Sequence, residues 1–337
     1  MTSASPAWGE SRMACHAVSR AACETARALG RGINLGNMLE APREGDWGVR
    51  AEPALVALAA RHFRTVRVPV RWSNHAAPGA DATIDEAFAR RVDTVVDALL
   101  ARGAWVIVNL HHYSQATGGA LHPREFAVDP AVVDERLVNL WRQVARRYQG
   151  RPPRLLFELF NEPNGRLEGE AWNRLAARAL AAVRETNPRR VVLVGPGEWN
   201  HPRALPALRL PRDANLIASI HSYDPFDFTH QGVPWRPQVL PTGQACCSEA
   251  QRAQVARALD DAVRWSRAQG VPLHLGEFGA YRAGDLASRA AYARLVRDEA
   301  ERRGIGWAWW ELASDFSGVW DPAAGRWVEP LRRALLD

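Results

Sequence analysis

The stretch that decides the fold is Leu155–Asn164, which reads LLFELFNEPN. It begins as an apolar run typical of a buried strand and ends in the tripeptide NEP, which contains Glu162. Proline lacks a backbone N–H and cannot continue a strand, so the strand must end here and present Glu162 at its carboxyl end. A second stretch, Pro272–Gly279 (PLHLGEFG), has the same design and presents Glu277 beside glycines.

Two carboxylic acids at the ends of two strands can act as the general acid and the nucleophile that cleave a glycosidic bond. One such glutamate alone is more often a solvated residue or half of an ion pair, because charged side chains are mostly exposed. The rest of the sequence therefore decides which interpretation holds for Glu162 and Glu277.

Strand-like and helix-like segments alternate along the chain. Near-continuous apolar strands followed by helices predict an α/β fold, a single-domain (β/α)8 TIM barrel over residues 31–337. Residues 1–30 are predicted to form an N-terminal arm or a cap at the barrel bottom. The predicted strands are Gly32–Leu39, Phe63–Val70, Trp105–Leu110, Leu155–Phe160, Val191–Val194, Leu216–Ile220, Pro272–Gly276 and Gly306–Trp310. The predicted helices are Glu52–Arg61, Asp85–Arg102, Pro130–Tyr148, Glu170–Thr186, Pro202–Arg209, Ser248–Gln269, Asp285–Arg303 and Glu329–Leu336.

Composition narrows the classes of function. The chain has 337 residues and a net charge of +6, and its 43 basic residues are all arginine. These arginines are scattered over the helical segments, which argues against a nucleic-acid groove. No apolar run approaches the length of a membrane span, so no membrane contact is expected. The first residues lack the apolar core of a secretory signal, which leaves a removed signal, a non-native start or an internal protein open.

Two residue types carry further information. The 14 tryptophans offer flat surfaces on which sugar rings can stack, although most tryptophans of a large protein lie in the core. The four cysteines (Cys15, Cys23, Cys246 and Cys247) match no metal pattern and are too few for a disulfide scaffold. Cys246 and Cys247 could form a vicinal disulfide, but two free thiols are expected there.

Residues able to form hydrogen bonds stand at almost every predicted strand end. The chemistry of such barrels collects at the carboxyl ends of the strands. As a set these residues are a stronger signal than any of them alone. In chain order they are Asn37, Glu40, Arg67, His111, His112, Asn161, Glu162, His221, Tyr223, Glu277, Trp310 and Glu311. Glu158 is instead predicted to be an inward-facing charge that needs a partner, and His274 is expected to have no role in this set.

The motifs that carry these residues resemble those of glycoside hydrolase family 5, and in particular those of its bacterial endo-β-1,4-glucanases. The resemblance runs from about Gly32 to the C-terminus. It implies a (β/α)8 barrel and a retaining mechanism, with the acid/base after the fourth strand and the nucleophile after the seventh. The motifs are GINLGNMLEAP, VRVPVRWS, NLHHY, FELFNEP, HSYDPFDFTHQG, LGEFGAYR and WAWWEL.

The resemblance also implies a role for each residue. Glu162 is expected to be the acid/base and Glu277 the nucleophile, while Arg67 and Tyr223 orient Glu277. Asn161 is expected to bind the 2-hydroxyl of the sugar that is cleaved. The further substrate contacts implied are His111 and His221 in the same subsite, Trp310 as the platform under the sugar, Trp235 as a platform across the cleaved bond, and Asn37, Glu40, His112 and Glu311 at sugar hydroxyls.

Two places depart from the family pattern and leave subsite detail open. Ser222 stands where relatives often carry a second tyrosine, and the stretch Val239–Ser248 matches no pattern. No metal or cofactor is expected, because His111 and His112 are adjacent and cannot form the usual spaced ligand set. A zinc hydrolase built on these two histidines is still an alternative that chelators would reveal.

The expected partner is a polysaccharide or oligosaccharide, either a β-glucan or a mannan, and the protein is expected to act as a monomer. A substrate of this class suggests a secreted or periplasmic enzyme. Three alternatives stay open at this stage: a β-mannanase, an exo-acting β-glucosidase, and a catalytically inactive sugar-binding barrel.

Overall fold

All eight predicted strands are present, and they close into one barrel. The computed structural model describes residues 14–337. Each strand pairs in parallel with its neighbours along the chain, and the last strand pairs with the first. The (β/α)8 barrel is therefore confirmed. The strands are β1 (Arg31–Asn34), β2 (Thr65–Val68), β3 (Trp105–Asn109), β4 (Leu155–Glu158), β5 (Val192–Val194), β6 (Leu216–His221), β7 (Leu273–Phe278) and β8 (Gly306–Trp309).

Helices lie between most successive strands. One predicted helix is wrong in type: Pro202–Arg209 contains a 3-10 helix over Pro202–Ala207, because Pro206 has no N–H for an α-helical hydrogen bond. Within residues 14–337, no helix combines the length and apolarity needed to cross a bilayer. The α-helices are α1 (Arg20–Leu29), α2 (Pro53–His62), α3 (Glu86–Ala101), α4 (Ser114–Thr117), α5 (Val133–Arg147), α6 (Gly169–Arg184), α7 (Phe226–Thr229), α8 (Glu249–Gln269), α9 (Leu286–Arg302) and α10 (Glu329–Leu336). Two short strands, β9 (Trp320–Asp321) and β10 (Arg326–Trp327), form a hairpin outside the predicted elements.

Capping residues set the starts of three long helices, α3, α8 and α9. The carboxylates of Asp85 and Asp285 accept the backbone N–H groups three residues later, at the starts of α3 and α9. Ser248 and Gln251 form a reciprocal capping box at the start of α8. Gly270 ends α8 in the left-handed conformation that glycine adopts without a steric penalty. The helix bounds therefore follow from local sequence.

Burial explains the apolar character of the strands. Every residue of β4 to β8 is buried, because the barrel interior covers one face and the helices cover the other. Gly32 on β1 marks a close approach of two backbones, since a Cβ there would lie 2.7 Å from the carbonyl oxygen of Trp307. This tight closure between β1 and β8 requires glycine.

Two register shifts in the strand pairing redirect side chains at the carboxyl end of the barrel. The register shifts between Ile220 and His221 on β6, and again between Leu275 and Phe278 on β7. Bulges of this kind bend a strand and redirect its side chains, and they are common beside active sites. The shift on β6 places His221 opposite Glu277.

The N-terminal segment lies at the bottom of the barrel, opposite the carboxyl ends of the strands. Helix α1 packs against β6, β7 and β8. The backbone N–H groups of Ala17 and Ser19 donate to the carbonyls of Gly270 and Ala214, which precede β7 and β6. Residues 17–29 thus lie at the barrel bottom. Residues 1–13 of the predicted arm or cap lie outside the described residues.

The cysteines differ from the sequence-based expectation. Cys15 is joined to Cys23 by a disulfide that ties the N-terminal segment to α1. Cys246 is joined to Cys247, so the expectation of two free thiols at this pair is wrong. Both side chains of the pair are partly buried against the core at the turn that precedes α8. Adjacency in the sequence could not reveal this pairing, which depends on how the turn folds.

Candidate active site

Arg67, on β2, is fully buried inside the barrel and connects several strands. Its Nε donates to Oε2 of Glu158 at 2.7 Å, and its Nη1 donates to Oε1 of Glu277 at 2.7 Å. Nη1 also donates to Oδ1 of Asn34 at 2.9 Å, and Nη2 donates to Oδ1 of Asn161 at 2.7 Å. A single guanidinium group therefore fixes side chains from β1, β4 and β7.

The predicted need of Glu158 for a partner is confirmed by this ion pair. Its other oxygen accepts the hydroxyl of Ser219 at 2.6 Å, and Asn109 donates to Oε2 at 3.2 Å. Burial alone would raise the pKa of Glu158, but the charge of Arg67 and these donors hold it below its usual value. Glu158 is thus an ionised structural residue beneath the site.

Glu162 follows β4 in an unusual backbone conformation. Its φ of 54° lies in the left-handed region, which non-glycine residues seldom adopt outside functional sites. The turn is held by Asn164, whose side chain donates to the carbonyl of Glu162 at 2.8 Å. The side chain of Glu162 is 24% exposed, and its Oε1 lies 2.9 Å from Nδ1 of His221. Glu162 is therefore reachable from solvent.

Glu277, on β7, has both carboxylate oxygens occupied. Arg67 donates to Oε1 at 2.7 Å, and the hydroxyl of Tyr223 donates to Oε2 at 2.9 Å. The side chain is nearly buried. These two donors fix the plane of the carboxylate, as the sequence-based roles of Arg67 and Tyr223 require.

The two acids lie close together, with His221 between them. One oxygen of Glu162, one oxygen of Glu277 and a ring nitrogen of His221 all lie within 4.8 Å of one another. Carboxyl groups about 5–5.5 Å apart are typical of retaining glycosidases, whereas inverting enzymes need about 6.5–9.5 Å to admit a water molecule. The nearest oxygens of the two acids are thus close enough for both groups to act on one glycosidic bond.

The same three residues form a group whose atoms could also ligate a metal ion. His111 and His112 do not belong to it: Nδ1 of His111 is 3.0 Å from Nδ2 of Asn109, and the two histidine rings meet edge to face at 4.6 Å. The zinc site imagined on the adjacent histidines is therefore not assembled among the described residues. That the enzyme needs no metal stays a prediction.

The pKa values of the two acids depend on their surroundings. Burial raises the pKa of Glu162 to about 7; Arg67 opposes this rise and Glu158 adds to it. Burial also raises the pKa of Glu277, but Arg67 and the Tyr223 hydroxyl oppose the shift. Glu162 has no such direct donor pair, so it is the acid that keeps its proton near neutral pH.

His221 is neutral at neutral pH because burial lowers its pKa to about 4. Nε2 of His221 lies 3.4 Å from the amide nitrogen of Asn200, which donates to it. The proton of the ring is therefore assigned to Nδ1, which faces Glu162 at 2.9 Å and Glu277 at 3.7 Å. A neutral donor at this place holds Glu162 and adds no charge.

Trp310 follows β8 and lies beside His111. Their rings stack with centroids 5.3 Å apart. A Cβ at Gly36 would lie 3.1 Å from the Trp310 ring, so the loop after β1 passes close to this ring. Burial lowers the pKa of His111 and of His112 well below the usual value, so both rings are neutral at neutral pH. The predicted platform is thus flanked by neutral polar rings.

Glu40 and Glu311 are both fully buried. Glu40 accepts the backbone N–H groups of Asn37 and Met38, and Glu311 accepts that of Ser317 at 3.0 Å. Burial raises the pKa of Glu40 to about 8 and that of Glu311 to about 7. In this structure the two carboxyl groups hold the loops after β1 and β8 in place, and their predicted contacts with sugar stay predictions.

Two exposed tryptophans stand at the same end of the barrel. Trp235 is 63% exposed, and its ring meets that of Tyr281 edge to face at 5.4 Å. Trp199 is 54% exposed and follows β5; its backbone N–H donates to the carbonyl of Pro163, next to Glu162, at 3.1 Å. Sequence reasoning missed Trp199 and the adjacent Asn200. The signal was available, because GEWN directly follows the fifth strand, the one strand end left without a candidate.

A close carboxyl pair at the carboxyl mouth of a (β/α)8 barrel, with one acid fixed by arginine and tyrosine, defines a glycoside hydrolase. Comparison with known proteins gives the family. The family model described as cellulase (glycosyl hydrolase family 5) matches residues 28–315. The chain belongs to glycosyl hydrolase family 5.

Several relatives are similar over most of the chain. Endoglucanase H of Acetivibrio thermocellus is 35% identical over 292 residues, which are 86% of this chain and 30% of that protein. The cellulase/esterase CelE of the same organism is 30% identical over 90% of this chain, which spans 37% of its length. The chain thus spans well under half the length of these curated relatives.

Solved structures match the whole barrel. A solved endoglucanase superposes with a TM-score of 0.88 at 37% identity and covers 94% of this chain and 99% of its own. Cel5A of Thermotoga maritima, solved with cellobiose, gives a TM-score of 0.87 at 38% identity over 93% of this chain and 99% of its own. The same protein has also been solved with mannotriose.

Replacing Glu158 should destabilise the protein strongly. Glu158→Ala leaves the buried charge of Arg67 without its structural partner, so we expect the free energy of unfolding to fall by about 3–5 kcal/mol. Denaturant unfolding measures this change. The control is Glu170→Ala, which removes an exposed partner of Arg174 and should change stability by less than about 1 kcal/mol. Similar losses for both variants would contradict the structural role of Glu158.

Activity should fall as the pH rises through about 7. We expect the leaving group to receive its proton from Glu162, whose pKa is about 7, so the active form exists below this pH and is lost above it. The acidic limb should report ionisation of Glu277. The pH profile of kcat/KM measures both limbs. A basic limb that persists in Glu162→Gln would show that another group supplies the proton.

Proposed function

We propose that the chain is a retaining endo-β-1,4-glucanase that hydrolyses internal bonds of cellulose-like or mixed-linkage β-glucans. The observation that carries the proposal is the Glu162–Glu277 pair within 4.8 Å, in which only Glu277 has both oxygens held by strong donors. The printed names of the relatives, endoglucanases and a cellulase, support the substrate class.

In the first step, the Glu277 carboxylate attacks the anomeric carbon. The bond from this carbon to the leaving oxygen breaks as Glu162 gives that oxygen its proton, and a covalent glycosyl-enzyme forms. Arg67 and Tyr223 hold Glu277 in one orientation, so the attacking oxygen needs little reorganisation. Asn161 accepts from Arg67 through its oxygen, which leaves its NH2 group as the donor to the 2-hydroxyl of the sugar.

In the second step, the ionised Glu162 removes a proton from a water molecule. The water oxygen attacks the anomeric carbon, the bond to Glu277 breaks, and the sugar leaves with the configuration it had at the start. The loss of the proton from Glu162 in the first step and its recovery in the second restore the enzyme. His221, neutral and bonded to Glu162, keeps this carboxyl group in place through both steps.

The exposed aromatic residues favour a polymer over a small glycoside. Trp310 lies beside the acid pair, while Trp199 and Trp235 expose large apolar faces at the same end of the barrel. Tryptophan offers one flat apolar face to a sugar ring. A chain that contacts platforms on both sides of the acid pair is cut inside its length, which supports endo action.

A second candidate is β-mannan hydrolysis, which the mannotriose complex of the Thermotoga maritima relative favours. Mannose differs from glucose in the orientation of the 2-hydroxyl, the group that Asn161 is proposed to bind. The same acids would perform the reaction on either polymer. We also propose that the partner of the protein is an oligosaccharide and that the protein acts as a monomer.

A panel of polymers with product sizing tests the proposed function. We expect soluble cellulose derivatives and mixed-linkage β-glucan to yield oligosaccharides of several lengths, with mannan hydrolysed less readily, because the internal bonds of a bound glucan lie at the acid pair. NMR should show that the first product retains the anomeric configuration. Release of glucose alone would favour an exo-acting β-glucosidase, and an inverted product would contradict the retaining mechanism.

Replacement of each acid should give distinguishable defects. Glu162→Ala should lose roughly 10²–10⁴-fold on polymer, because the leaving oxygen no longer receives a proton. With an aryl glycoside whose leaving group needs no acid, this variant should still accumulate glycosyl-enzyme, which mass spectrometry detects. Glu277→Ala should form none with either substrate. Accumulation in Glu277→Ala instead would reverse the two roles, and Glu170→Ala, an exposed acid, should behave like the wild type.

A further inference from the structure

Asn200 follows β5 in a turn that is held in an unusual conformation. Glu198, Trp199 and Asn200 have φ values of 51°, 56° and 60°, all in the left-handed region that non-glycine residues seldom adopt. The turn is anchored to β6, because the backbone N–H of His221 donates to the carbonyl of Asn200 at 2.9 Å. Such a conformation is unfavourable, so three consecutive residues in it point to a function that the turn serves.

The side chain of Asn200 is buried against the ring of His221. Its Nδ2 lies 3.4 Å from Nε2 of the ring, while the other ring nitrogen, Nδ1, lies 2.9 Å from Oε1 of Glu162. Oδ1 of Asn200 has no hydrogen-bond partner among residues 14–337. A buried acceptor without a donor is rare and requires an explanation. The amide thus faces the ring with its nitrogen and leaves its oxygen unpaired.

We propose that Asn200 is a positioning residue for the acid step, and that it acts by selecting which ring nitrogen of His221 carries the proton. This inference deepens the proposed function and rests on it. The NH2 group of Asn200 donates to Nε2, so Nε2 is an acceptor and the ring proton is confined to Nδ1. The ring of His221 then donates to Glu162 through Nδ1.

The position of the ring proton decides which oxygen of Glu162 holds the acid proton. Because Nδ1–H donates to Oε1, the proton of the neutral carboxyl group lies on the other oxygen, Oε2. Within residues 14–337 no hydrogen bond involves Oε2, and the side chain is 24% exposed, so a substrate can reach this oxygen. With the ring proton on Nε2 instead, Nδ1 would accept the proton of Glu162 at Oε1 and hold it away from the leaving oxygen.

The ring keeps its own proton through the whole reaction. In the first step the proton moves from Oε2 of Glu162 to the leaving oxygen, which also takes the electron pair of the broken C–O bond. Nδ1–H of His221 then donates to a carboxylate instead of a neutral carboxyl group. A hydrogen bond to an ionised acceptor is stronger, so this donor favours release of the proton. In the second step Oε2 takes a proton back from water.

Gly195, directly after β5, makes room for the amide of Asn200. A Cβ at Gly195 would lie 2.2 Å from Oδ1, 2.5 Å from Cγ and 2.7 Å from Nδ2 of Asn200. Any other residue at this position would therefore displace the amide from the ring of His221. The carbonyl of Gly195 accepts Nε1–H of Trp172 at 2.8 Å, which fixes the backbone here. Since Gly195 does not have a positive φ, the requirement for glycine is steric.

Two substrates that differ in their leaving group test the proposal. Mixed-linkage β-glucan needs a proton on its leaving oxygen, whereas an aryl β-cellobioside with an activated leaving group needs none. Asn200→Asp replaces the NH2 donor by an oxygen of similar size. We expect this variant to lose roughly tenfold to hundredfold in kcat/KM on the glucan and less than about threefold on the aryl glycoside. The loss should fall on kcat more than on KM, because no contact with the sugar is removed.

Nitrogen NMR of protein labelled in its histidine rings reports the position of the ring proton directly. At neutral pH the ring of His221 should carry its proton on Nδ1 in the wild type, whereas Nε2 should acquire a proton in Asn200→Asp. The His221→Gln variant lacks these signals and so assigns them. The measurement needs no substrate and does not depend on the proposed function. A wild-type ring with its proton on Nε2 would overturn the proposal.

Two further variants test the amide without adding a carboxyl group. Asn200→Gly removes the side chain from a conformation that glycine adopts freely, and Gly195→Ala displaces the amide; both should lose activity on the glucan selectively. In the double variant the alanine has no amide to displace, so it should add less than about twofold to the loss of Asn200→Gly. The control is Glu198→Gly, which places a glycine in the same turn, removes only the exposed partner of Arg203 and should follow the wild type.

The outcomes separate this inference from the proposed function. Equal losses on both substrates in folded Asn200→Asp and Asn200→Gly, or no loss on either, would overturn the role of Asn200 and leave the glucanase intact. Additive losses in the double variant would show that Gly195 acts apart from the amide and would contradict the steric argument. A wild-type protein that is inactive on both substrates would refute the proposed function, and the NMR measurement would still decide the position of the ring proton.

Discussion

The structure depends on one cation buried inside the barrel. Arg67 is bonded to Glu158, Glu277, Asn34 and Asn161, and these residues come from three different places in the chain. A buried guanidinium is costly unless its charge is matched, and Glu158 provides the match from within the barrel wall. The remaining donors of Arg67 bind Glu277, the proposed nucleophile, and Asn161, the proposed ligand of the sugar 2-hydroxyl. The buried ion pair with Glu158 and the proposed catalytic residue Glu277 therefore share one guanidinium group, that of Arg67.

This shared cation also explains how two nearby glutamates take different roles. Both carboxyl groups are largely removed from water, which raises both pKa values. Glu277 receives two strong hydrogen bonds, one of them from the cation, whereas Glu162 receives one from a neutral histidine. We propose that this difference in donors, and not a difference in residue type, makes Glu277 the nucleophile and Glu162 the proton carrier.

Sequence patterns predicted the barrel well because its strands are buried on both faces and are therefore continuously apolar. They also placed Glu162 just after β4 and Glu277 near the end of β7, because Pro163 and Gly279 mark the ends of these strands. The partners inside the barrel and the exposed Trp199 depend on contacts between distant segments, whereas the pairing of Cys246 with Cys247 depends on how one turn folds.

The residues bonded to Arg67 lie inside the barrel, whereas the exposed tryptophans lie on its loops, and this difference has a consequence for engineering. Residues bonded to Arg67 support both folding and catalysis, so substitutions there change both properties at once. The exposed rings of Trp199 and Trp235 lie outside that network, on the loops that follow β5 and β6. Libraries aimed at new substrate preferences should therefore diversify these loops and keep the interior unchanged.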